Sequence, residues 1–199
     1  MSNKVQVSIR ARPLALVSLA STGVLAGAIF GATTNAVNGW VSPGYFVRIL
    51  RWGDVGDVWR ASIAQGIFEG LLYGFLFSMI FTGAVGFVSK AACPYSVGVR
   101  YLLGILISAY GCWALGGLAA MGLAALSPDF YRNTFIGVPD DSREMLRYAW
   151  VGGSIWGAIL GGLVSVTLGV IIFRAGWSHQ NRKPEEAQTV PSAVKISEQ

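Results

Sequence analysis

Gln65, Glu69 and Tyr73 recur at a spacing of four inside one of the most apolar runs of the chain, ASIAQGIFEGLLYGFLFSMIFTGAVGFV. On a helix that spacing stacks an amide, a carboxylate and a phenol along one ridge, beside a second ridge of Gly66, Gly70 and Gly74. An ionised carboxylate in hydrocarbon costs several kcal/mol unless it is paired or reached by water, so Glu69 is a candidate proton or cation site. The end of the preceding apolar run, GATTNAVNGW, adds Thr33, Thr34, Asn35 and Asn38. With Gly39 and Ala61 at equal depth, a rise of ~1.5 Å per residue sets Asn35 level with Gln65 and Asn38 level with Ser62. Glu69 then lies roughly 12 Å inside the outer boundary, near Gly31. Asn35, Gln65 and Tyr73 become its oxygen and amide partners. The competing role for these side chains is interhelical hydrogen bonding, worth about 0.5 to 2 kcal/mol per contact in a membrane.

Other chemistry is sparse. Cys93 and Cys112 are too isolated for a disulfide framework or a metal site, and His179 has no second ligand at metal spacing. We expect no metal and no cofactor. No acid pair and no Ser-Lys or Ser-His arrangement lies within the apolar runs, so the chain is not expected to be an enzyme.

The elements that must hold Glu69 follow from composition. With 199 residues, 53% hydrophobic and 13% charged side chains, the chain departs from soluble averages toward a lipid-embedded protein. Four apolar runs, roughly 14 to 38, 62 to 88, 99 to 126 and 149 to 173, each reach the roughly 20 residues that cross ~30 Å of hydrocarbon. They are continuous rather than alternating, which disfavours a barrel. The first run is too long for a signal-peptide core and is read as a retained helix. The expected class is therefore an all-α integral membrane protein with four transmembrane helices. Its segments are a basic N-terminus (1–12), a first hairpin (13–90), a second hairpin (91–177) and a disordered polar tail (178–199).

The two longer loops open alike, with VSPGYF at Val41 and LSPDFY at Leu126. Each Ser-Pro should end a span, because proline lacks the amide donor and disfavours helix in the residue before it. Tyr45, Phe46, Ile49 and Leu50 then suit a short helix lying in the interface, and a counterpart is expected in the second loop. Asp57, and Asp141 with Glu144 three later, should cap the returning helices. Further on, Arg60, Gly66, Gly70, Gly74, Leu76 and Ser78 fall on Arg147, Gly153, Gly157, Gly161, Leu163 and Ser165, which points to a tandem duplication with parallel halves. Gln65 and Glu69 fall on Gly152 and Trp156, so the carboxylate belongs to the first half alone.

Glycines spaced by four form ridges that let helix backbones approach closely: Gly23, Gly27 and Gly31; Gly66, Gly70 and Gly74; Gly153, Gly157 and Gly161. Trp113 and Trp156 lie deep within spans and are expected to pack against such glycines. The net charge of +5 reflects topology rather than nucleic-acid binding. Nine of the fifteen basic residues fall on the side of the termini and middle loop, which places both termini in the cytoplasm at a plasma or inner membrane. The expected partners are the lipid bilayer and a homo-oligomer or larger membrane complex. The expected function is that of a non-enzymatic structural or accessory subunit, associating through its glycine ridges and outer loops. The alternative is a small oligomeric transporter or channel that uses Glu69 as a proton or cation site.

Overall fold

A computed structural model describes residues 11–188, with side chains described over 11–179. The order is α1 (Pro13–Val41), α2 (Pro43–Ile49), α3 (Val58–Ser89), α4 (Tyr95–Leu126), α5 (Pro128–Thr134) and α6 (Ser142–Gln188), with no strand among the described residues. Helices α1, α3 and α4, and the Ser142–His179 part of α6, are long and apolar enough to cross a membrane. Their outward faces expose residues such as Leu25, Ile29, Phe75, Leu160 and Ile172, which suit lipid rather than water. The chain is an integral membrane protein.

Helix boundaries follow the local chemistry. Ser42 (φ −147°, ψ 82°) and Ser127 (φ −142°, ψ 74°) leave the helical region in nearly the same way, and α2 and α5 each start on the proline that follows. The Asp57 carboxylate accepts the Arg60 backbone N–H at 3.0 Å, and Asp141 accepts that of Glu144 at 2.9 Å. Each satisfies a donor that the first helical turn leaves open. Asp57→Ala is expected to cost about 1 kcal/mol, read as a lower midpoint in denaturant unfolding, with Asp141→Ala similar. At the opposite end Lys90 (φ 51°) and Ala91 (φ 58°) turn the chain through the left-handed region. The Arg12 N–H donates to the Ala91 carbonyl at 2.6 Å, so the start of α1 and the α3–α4 turn share one end of the bundle.

Each hairpin closes backbone against backbone. A methyl group on Gly27 would lie 2.5 Å from the Gly70 oxygen and 2.6 Å from the Gly74 Cα, while Gly31 faces Gly66 and Gly70. In the second hairpin a methyl on Gly116 would lie 2.5 Å from the Gly153 oxygen and 2.7 Å from the Gly157 Cα, and Gly161 faces Cys112. Beyond the glycines, Gly23 meets the Ser78 side chain, and Ser108 and Ser165 share a hydrogen bond at 2.9 Å.

The hairpins meet through side chains instead. At the end carrying the α3–α4 turn, Leu19, Phe81, Val85, Cys93, Ile105, Val166 and Phe173 form a buried cluster. At the loop end a second cluster joins Ala124, Tyr131, Met145, Tyr148 and Ala149, with Tyr45 of α2 against it.

Three sequence expectations change. Helix α6 runs to Gln188, over the start of the segment expected to be a disordered tail, because a helix already formed propagates at little cost. The rest of that tail (189–199), and residues 1–10 of the basic N-terminus, lie outside the described residues. Trp156 does not pack on glycines but is 63% exposed on the lipid side, since Gly153, Gly157 and Gly161 commit the opposite face of α6 to α4. The three predicted ridges are consumed within the chain, which leaves none of them free to hold another subunit.

Candidate functional site

Helix α3 turns its glycine ridge into α1, and the adjoining ridge of Gln65, Glu69 and Tyr73 consequently faces the seam between hairpins. Gln65 and Glu69 are half-buried and Tyr73 is 39% exposed. The Gln65 amide Nε2 donates to Glu69 Oε1 at 2.8 Å, the predicted i, i+4 pairing. Asn35 is buried with its Cβ against Gly66, and its backbone carbonyl accepts the Ser62 hydroxyl at 3.1 Å. Of the three expected partners, only Gln65 hydrogen-bonds Glu69.

Glu69 lines a partly open cavity among α1, α3, α4 and α6, one end of which is formed by Phe81, Ile105 and Val166 of the first buried cluster. Asn35 and Tyr73 are on the same wall, together with Thr34 and Asn38. Among the described residues that line it, Glu69 alone is charged. Neither ion pair among the described residues, Arg60 with Asp57 and Arg132 with Asp129, involves it. The rest of the wall is apolar and rich in rings, with Phe30, Tyr73, Phe77, Phe81 and Trp113. Phe30 and Tyr110 meet edge to face at 4.6 Å on the α1–α4 side, where Thr33 Oγ1 also lies 2.6 Å from the Tyr110 hydroxyl. On the α3–α6 side Phe77 fills the space over Gly162.

Asn38 holds the hairpins together. Its Oδ1 accepts the Ser154 hydroxyl at 3.0 Å, linking α1 to α6. Glu69 does no such work, because its one hydrogen bond stays within its own helix. Sequence reasoning missed the apolar cavity wall, Phe77, Ile105 and Trp113 among others, whose side chains look like ordinary packing until the hairpins are set side by side. It also missed Gly116, which lacks glycine neighbours at four-residue spacing; Cys112 and Ala120 occupy those positions.

The carboxylate is felt in the loop. Burial raises the Tyr45 phenol above its ordinary 10.0, and the negative charge of Glu69 raises it further. A raised acid pKa favours the neutral phenol in the folded state, so this contribution to stability is complete below pH 10 and fades as pH climbs through the folded pKa. We expect Glu69→Gln to lower the Tyr45 pKa without restoring the ordinary value, since burial remains. Ultraviolet titration of wild type and Glu69→Gln, each against a Tyr45→Phe partner, isolates that phenol.

Compared with family models, curated proteins and solved structures, the chain matches none.

Proposed function

We propose that this membrane protein acts as a small carrier-type protein without enzymatic chemistry, which takes a proton or cation into the cavity between its hairpins with Glu69 as the ionisable contact. The observation that carries this reading is the placement of a carboxylate on the cavity wall with, among the described residues, no cation paired to it and no hydrogen bond to another helix. A residue serving only as interhelical glue would bridge two helices, as Asn38 does. The cavity stops at the packed cluster around Phe81 and Val166, so movement across the membrane requires the hairpins to rock against each other. Their construction favours that motion: glycine backbones pack on each other within each hairpin, whereas side chains such as Leu19, Phe77 and Phe81 fill the seam between the two.

The accessory-subunit reading depends on surfaces other than the glycine ridges, leaving the outer loops as its contact. These loops bind each other, with Arg48 Nη1 donating to the Gly137 carbonyl at 2.9 Å. Oligomerisation, cytoplasmic termini and an interfacial setting for α2 and α5 belong to the same proposal. So does the tandem duplication, which draws support from the contacts. Gly31 on Gly66 and Gly70 corresponds to Gly116 on Gly153 and Gly157, and Gly23 with Ser78 corresponds to Ser108 with Ser165.

The test is flux into proteoliposomes for a panel of protons, inorganic cations and organic cations over a pH series. We expect movement of at least one member above protein-free vesicles. A protein that moves none of them removes the carrier reading.

A further inference from the structure

We propose that the occupant of the cavity is a long-chain organic amine, with its ammonium at Glu69 and its hydrocarbon tail toward the inner cluster. This rests on the carrier reading above and names its substrate class.

Shape comes first. The wall follows α1 from Gly23 to Asn38, a rise of roughly 22 Å, so the space is long in one direction and suits a chain. Polarity is graded along that length. Asn38, Asn35, Thr34 and Glu69 lie toward the loop end, whereas Phe81, Ile105 and Val166 form the other end and belong to the buried apolar cluster. An inorganic cation would leave that apolar end unfilled, and a neutral hydrocarbon would leave the carboxylate without a partner.

Charge narrows the class. Among the described residues Glu69 is the one charged residue on the wall, which also carries the rings of Phe30, Tyr73, Phe77 and Trp113. A carboxylate on an apolar wall that also carries aromatic rings favours an organic ammonium, through ion pairing and, where the rings come within reach, their negative faces. An anionic amphiphile would meet the carboxylate with like charge.

An independent observation comes from hydrogen bonding. Asn38 is 1% exposed, yet its Nδ2 has no partner while its Oδ1 is engaged by Ser154. The Trp113 indole N–H is likewise buried without a partner. Turning the Asn38 amide over would pair Nδ2 with the Ser154 hydroxyl but strand Oδ1, so either orientation leaves one unmet polar atom. Both residues line this cavity, so its wall holds polar groups that the packed helices leave unmet.

The experiment uses the full chain in zwitterionic-lipid nanodiscs, with radiolabelled N-dodecylethanolamine as probe and empty nanodiscs as the partition control. We expect saturable binding in excess of empty nanodiscs. Dodecanol and dodecanoate should bind at least about tenfold more weakly, the scale of one lost charge-assisted contact. Glu69→Gln should weaken the probe by a similar factor, and Ala158→Phe, which fills the cavity without touching the charge, should also reduce binding. Absence of a saturable excess overturns the proposal, as does equal retention of dodecanol or unchanged binding by Glu69→Gln. Glu69-dependent flux of protons or small cations without amine binding would sink this inference and keep the carrier reading. Amine binding without flux of any solute would do the reverse.

Discussion

Gly27→Leu is expected to break the first hairpin, with a loss of at least about 3 kcal/mol and a fall in apparent melting temperature of roughly 6 to 12 °C. Overpacking is often absorbed when the obstacle is the tip of a flexible side chain. Here the obstacles are the Gly70 oxygen at 2.5 Å and the Gly74 Cα at 2.6 Å, and backbone cannot move aside without parting α1 from α3. Since burial of apolar surface contributes little between helices in lipid, separation also forfeits the van der Waals contact that holds the pair. Gly116→Leu should act alike in the second hairpin, against Gly153 and Gly157. Gly83→Leu is the control, because a methyl there meets nothing within 4 Å. Its change should stay within about 0.5 kcal/mol. Thermal unfolding in detergent, followed by circular dichroism, decides the matter; a tolerant Gly27→Leu would show that the seam is looser than described.

Glu69→Gln is the second, and its effect falls on activity instead. The exchange nearly preserves shape, and its carbonyl can still accept from the Gln65 amide that now bonds Glu69 at 2.8 Å. We expect the melting temperature to remain close to wild type while flux of the transported cation falls at least about tenfold and loses its pH dependence. The groups that face Glu69 support that separation. On the cavity wall Tyr73 is the only other titratable residue, and Tyr45 approaches from α2. No lysine or arginine on the wall could take over the charge. Should Glu69→Gln instead unfold the protein while any residual flux keeps its pH profile, the carboxylate would be structural.

Much of the fold is legible from residue types because lipid imposes few choices. Hydropathy marks four spans, Ser42-Pro43 and Ser127-Pro128 end two of them, and Asp57 and Asp141 start the returning helices. Counting along the first hairpin also places Glu69 correctly near Gly31, since Gly31 packs on Gly66 and Gly70. What counting does not supply is rotation. In the proposed alignment of the two halves Trp156 falls on Glu69, yet Glu69 lines the cavity while Trp156 is 63% exposed. The difference comes from how the hairpins lean on each other, which Phe77 over Gly162 and Phe81 against Phe173 determine. Those are contacts between side chains far apart in sequence, and no local pattern announces them. The partnership of Gly116 was hidden for a related reason: cysteine and alanine are small enough to continue a ridge that a search for glycine alone does not see.

The glycine seams also bear on how the protein is made. Every backbone contact of the first seam joins α1 to α3, across a single loop, so the closing distance along the chain is short and its entropy cost modest. The first pair of helices can therefore zip together during synthesis, before α6 has been translated, and the second pair repeats the event. Glu69 lines a cavity to which both halves contribute, so a first hairpin formed alone would leave the carboxylate exposed. Among the described residues Glu69 is the one acid that is not exposed, and it lies on the same hairpin as the polar loop end with Asn35, Asn38 and Gln65, which would be formed early enough to shelter it.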